Sequence, residues 1–173
     1  MSWARGRAEV ERLLSAGELE QVVPSAGVAS RLLADATAHT RLASMGAADD
    51  PAGALQLSYD ASRKAAAALL AVQGLRATTR GGHIAVIDAV RAQFNDRGGM
   101  EVFGRLNALR RRRHRAEYPD EDSPEVDEDD ARHAINTARA VIDAAERLID
   151  SGRLDVFQQF ERPGHTELAL VGQ

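Results

Sequence analysis

The chain has 173 residues, a net charge of -4 and no cysteine. These values exclude disulfides and thiolate metal centres, and they give no global attraction to nucleic acid, so any basic site must be local. No apolar run approaches the roughly 20 residues that cross a bilayer, and MSWARGRAEVERLL lacks the apolar core of a signal peptide. A cytoplasmic bacterial protein with no membrane association is the default expectation.

A chain of this length suits one domain, or one domain with a tail, and buries roughly 70% of its unfolded surface. Apolar residues make up 44% of it but aromatics only 4%. An alanine-rich, aromatic-poor composition favours close-packed helices over sheets. Lys64 is the only lysine. Such an arginine bias is first of all the mark of a GC-rich genome, and it argues against reading each arginine as a ligand.

Trp3, Val10, Leu13 and Leu14 predict a short amphipathic opening, broken near Gly17. A second segment runs from Leu19 to Val23 and stops at Pro24. From Ser25 the apolar residues recur every three or four positions (Val28, Leu32, Ala36, His39, Ala43), which predicts a helix ending near Gly46. The next helix has clear signals: Asp50 to cap, Pro51 in the first turn, Gly74 to terminate. Leu55, Ala61, Ala65, Leu69 and Val72 form its apolar side, with Tyr59 close by. TTRGGH reads as a turn, followed by a helix through Ile84, Ile87 and Phe94 that closes between Asn95 and Gly99. Met100 to Tyr118 is read as another helix, ended by Pro119. The last runs from about Asp127 to Asp150, with Ala131, Ile135, Ala138, Ile142 and Ala145 on one side. Beyond Gly152 the periodicity fades, leaving at most a helical turn over Leu154 to Phe160. No strand and no internal repeat is read. The expected fold is all-α, an antiparallel bundle of four or five main helices over 1–152 with a tail over 153–173.

The most unusual stretch is LRRRRHRAEYP, Leu109 to Pro119. Arginines near a helix C-terminus and carboxylates at the start of the next helix both complement the macrodipole, at about 0.3–1 kcal/mol each. That alone accounts for much of the charge. Converging guanidinium groups nevertheless suit a phosphate, and Arg110, Arg113 and Arg115 are the candidates to hold one. Arg110, His114 and Tyr118 fall at i, i+4 and i+8 on one face, with Arg113 and Glu117 in a neighbouring row. His114 is a candidate for proton transfer there, and Tyr118 its companion. His83, at the start of a helix, can cap its turn or reach the Arg113 region. His39 reads as a packing residue on an apolar face, and His133 and His165 have no metal-ligand spacing. Neither a metal nor an organic cofactor is expected.

The order of four segments, ASRLLADATAHTRLA, LSYDASRKAAAALLAVQGLR, GGHIAVIDAV and LRRRRHRAEYP, followed by an alanine-rich helix, resembles the HEPN domain (higher eukaryotes and prokaryotes nucleotide-binding), most closely its small stand-alone bacterial branch. The resemblance spans roughly Ser25 to Ile149. It implies a helical homodimer, and many such proteins are metal-independent ribonucleases with an arginine followed by a histidine after four to six residues. Some are toxins whose antitoxin is a nucleotidyltransferase. Here Arg113 takes the arginine position, but Tyr118 stands where the histidine belongs. No arginine stands at the matching distance before His114 either, where the chain has Asn107, Ala108 and Leu109. Tyrosine, with an ordinary pKa of about 10, is a poor base at neutral pH but donates a hydrogen bond. The expectation is therefore a non-catalytic module binding RNA, nucleotide or a partner protein. The alternative is a divergent ribonuclease using His114 or His83.

Overall fold

A computed structural model describes Trp3 and residues 5–95, 101–119 and 124–158. The expected closure after Asn95, His165 and the end of the expected Leu154–Phe160 turn lie partly or wholly outside these residues. Six helices form the body: α1 (Arg7–Ser15), α2 (Ala26–Gly46), α3 (Pro51–Val72), α4 (Gly82–Phe94), α5 (Leu106–Glu117) and α6 (Glu128–Asp150). A short 3-10 helix over Glu101–Arg105 leads into α5, so the segment read as one helix from Met100 has a tighter first turn.

Helix α3 is the central element. Asp50 caps it, its carboxylate accepting the Gly53 N–H at 2.8 Å, and Pro51 occupies the first turn. Twelve of its residues are buried, and many are alanines, so α2 and α6 lie close against it. Ser58 and Ser62 are buried in this seam without penalty, because each hydroxyl donates to the carbonyl four residues back at 2.8 Å. The core continues through Leu69, Ile87, Val90, Phe103, Leu106 and Val141. Asp127 caps α6 in a reciprocal box with Asp130, the Asp130 N–H donating to Asp127 at 2.8 Å.

The structure also corrects the expected secondary structure of two further segments. Leu19–Gln21 (β1) and Leu75–Ala77 (β2) form an antiparallel ribbon, with Glu20 opposite Arg76. Three-residue strands are too short to show an alternation in sequence, which is why none was expected. After Gly152, the described residues through Gln158 form no helical turn. They are tied down as an extended segment: Phe157 is buried edge-on against Trp3 at 4.8 Å, and its N–H donates to the Gln73 carbonyl at 2.8 Å.

The turn before α4 places His83. Gly81 passes so close to the Glu18 carbonyl oxygen that any Cβ would collide with it, and Gly82 has φ of +50°. Both glycines of TTRGGH are thus required by backbone geometry, one by contact and one by handedness.

Candidate functional site

Leu106 and Leu109 are buried and fix the rotation of α5 on the bundle. Arg113 follows Leu109 by four residues and Leu106 by seven, so it turns toward α3. Its guanidinium stands 5.9 Å from the centre of the Tyr59 ring and pairs with Glu117 one turn on. Arg112 turns the other way and pairs with Asp130 of α6. Arg110 is half-buried, and its charge acts on Asp88 of α4. Arg111, His114, Arg115 and Tyr118 lie on the outer side and are exposed. The His114 and Tyr118 rings meet at a tilt, with centres 5.0 Å apart. The arginine run is therefore split: three members face α3, α4 and α6, and two face water.

Tyr59 joins α5 to the rest of the site. It is buried, and burial pushes its pKa up against the charges of Arg63, Arg110 and Arg113. On its other side His83 lies 5.9 Å away, ring centre to ring centre. His83 keeps an exposed edge, yet burial of its inner side and the nearby Arg63 and Arg113 charges push its pKa below 6.5, against the pull of Asp60. Its imidazole is neutral at pH 7, with a free lone pair or N–H for an incoming group.

One residue beyond Tyr59, Asp60 anchors a second set of groups. Nε of Arg63 donates to Oδ1 of Asp60 at 3.1 Å, and Nδ1 of His39 on α2 lies 3.0 Å from Oδ2, off the line of an ideal hydrogen bond. Burial would raise the Asp60 pKa, but the Arg63 hydrogen bond and the Arg63, Lys64 and His39 charges outweigh it and hold it below the usual carboxylate value. His39 is thus an electrostatic partner across the α2–α3 seam, not the apolar packing residue its helix face indicates. Lys64, next in the chain, reaches Asp35 of α2 at 3.2 Å.

The result is a corner where α3, α4 and α5 bring together Arg63, Tyr59, His83 and Arg113, with Asp60 and His39 behind. Of the six residues singled out from sequence, Arg113 and His83 meet there through Tyr59. Arg110 stands at its edge, while Arg115, His114 and Tyr118 project from the outer side of α5. Asp60, Arg63 and His39 add to the site. The i to i+3 spacing of YDASR hints at the Asp60–Arg63 pair, but nothing local announces His39. Among the described residues, no three His, Asp or Glu side chains gather as a metal-ion set, and no helix is long and apolar enough to cross a membrane.

Compared with known families, residues 33–148 match the family model of the HEPN domain, a span that runs from within α2 to the last turn of α6. The chain belongs to the HEPN family. No curated protein and no solved structure is significantly similar to it. The all-α bundle is the architecture expected of a HEPN domain, and membership makes it a nucleotide-binding or ribonuclease-like module.

Proposed function

We propose that this HEPN domain binds RNA or a nucleotide through its phosphates at the Arg63–His83–Arg113 corner, and that it does so without the ribonuclease chemistry of the arginine–histidine motif. The observation that carries this reading is the convergence of two guanidinium groups and a neutral imidazole around Tyr59. Guanidinium forks bind phosphate oxygens through two parallel N–H donors, and a neutral imidazole supplies a further donor without repelling the arginines. Arg110 and Arg115 extend the cationic surface along α5. Tyr118 stands where the motif calls for histidine, and its exposed ring packs against His114 on the outer side of α5. Phosphate held at Arg113 therefore has no motif base beside it.

The biological setting in this reading is a cytoplasmic homodimer that partners a nucleotidyltransferase antitoxin. Binding of a labelled single-stranded RNA, followed by fluorescence anisotropy, tests the core of it. The double change Arg63→Ala and Arg113→Ala should weaken binding by about a hundredfold, two charge-assisted contacts each contributing roughly 1.5 kcal/mol. An unchanged affinity removes the phosphate corner.

A second reading has its own observation. Neutral His83 is a competent proton acceptor beside two phosphate-binding arginines, which favours a divergent metal-independent ribonuclease over an inert binder. It predicts RNA cleavage in EDTA that disappears in His83→Ala and survives in His114→Ala, because His114 projects from the outer side of α5.

A further inference from the structure

The ribbon, the start of α2 and the facing sides of α3 and α4 enclose a groove of about 390 Å3, a volume typical of small-molecule sites. Val28 and Leu32 from α2, Leu70 from α3, Leu75 from β2 and Val86 from α4 give it aliphatic walls. Val23 stands among them at 85% exposed, and neither its N–H nor its carbonyl has a hydrogen-bond partner among the described residues. Two cations line the same groove. Arg76 is held by Glu20 across the ribbon at 2.9 Å. Arg63 belongs to both places: it lines the groove and its charge acts on His83 in the corner.

An apolar slot with a phosphate-binding group at one end has the chemistry of a ligand with a flat, largely apolar ring and an anionic tail. The aliphatic side chains that line the slot grip such a ring by dispersion, and the unpartnered backbone groups of Val23, in the same lining, are available to its polar edge. We infer that this groove seats the base of a nucleotide whose phosphate lies against Arg63, His83 and Arg113. The inference rests on the phosphate-binding reading of the corner and adds a base site to it. The groove selects for a base but has few side chains able to tell one base from another.

Calorimetry with adenosine 5′-monophosphate, ribose 5-phosphate and inorganic phosphate separates the two claims. The full chain should bind the nucleotide about tenfold more tightly than the sugar phosphate, the difference being the seated base. Ala67→Trp fills the groove from α3 and should erase that ratio while leaving the affinity for ribose 5-phosphate unchanged. Val28→Trp, on the exposed wall, repeats the experiment should Ala67→Trp fail to fold. Arg63→Ala should weaken both ligands about tenfold. Equal affinities of the full chain for nucleotide and sugar phosphate, or a ratio untouched by folded groove variants, overturns the base site and leaves the phosphate corner standing. Failure of all three ligands to bind overturns the corner as well. Dimers that dissociate in the groove variants, with the nucleotide ratio unchanged, would assign the groove to a second copy of the chain instead.

Discussion

His83 is the residue whose charge state decides how the corner treats a phosphate. Burial of its inner side and two arginines keep it neutral at pH 7, so it starts to take up a proton only below its ordinary value of 6.5. A bound phosphate favours the protonated ring, so affinity should be flat between pH 8 and 7 and should tighten as pH falls toward 5.5. His83→Gln should abolish the rise, as binding isotherms at both pH values would show. Stability runs the other way: below pH 6.5 the unfolded chain binds a proton that the folded chain does not, so the wild type loses stability relative to His83→Gln. Asp60 has the same sign at a lower pH, because its folded pKa also lies below its ordinary value of 3.8. Its stabilising effect is complete at neutral pH and fades as pH falls through the folded value. Asp60→Ala should cost about 1–2 kcal/mol at pH 7 by denaturant titration, with the difference narrowing as the pH is taken below 3.8. A constant gap across that range would mean the loss is packing, not charge. Of these two residues only His83 could be picked out from the chain. Asp60 finds Arg63 locally but finds His39 across 21 positions of sequence, and no periodicity encodes a contact at that separation.

At the scale of elements, legibility followed the strength of local signals. Asp50–Pro51 and Asp127 mark their helix starts because capping is a property of three or four consecutive residues. The β ribbon depends on Gly74, which at φ +74° turns the chain out of α3 so that Leu75 pairs with Gln21. That pairing is long-range and left only a glycine as its trace. The rotation of α5 was legible in principle from Leu106 and Leu109, yet counting rows of charge gave Arg110, His114 and Tyr118 equal weight with Arg113. Burial of the two leucines is what separates them. The same logic makes α3 sensitive to volume. Ala61, Ala65 and Ala66 are fully buried where neighbouring helices approach closely, so Ala65→Leu should overpack the seam and cost about 1–3 kcal/mol. Asp127→Ala, which removes one side of the α6 capping box, should cost about 1 kcal/mol. Urea midpoints at constant slope would check both, and a neutral Ala65→Leu would show that the seam has room to spare.

For the whole molecule, a net charge of -4 means that a polyanion is not steered from a distance and must be held by local contacts. Most of the arginines on α5 already carry a carboxylate: Arg112 has Asp130, Arg113 has Glu117, and Arg110 lies near Asp88. Few cations therefore remain to displace counterions. With Arg63 and Arg113 exchanging their carboxylates for phosphate, and Arg115 adding a contact of its own, about three contacts form, and log K should fall against log salt with a slope of about -2 on single-stranded RNA. Two copies holding one strand side by side would double this to about -4. Light scattering at the concentration of the titration tells which value applies, a dimer being the expected state. Arg115→Ala should then lower the slope by about 1.4 in a dimer, since each copy loses one contact at roughly 0.7 per phosphate. Arg112→Ala should leave the slope where it was, because Arg112 turns away from the corner toward Asp130 of α6. A slope near zero in the wild type would mean that RNA is not held by its phosphates at all. In that case the corner of Arg63, His83 and Arg113 would have to be reassigned to a protein partner's carboxylates.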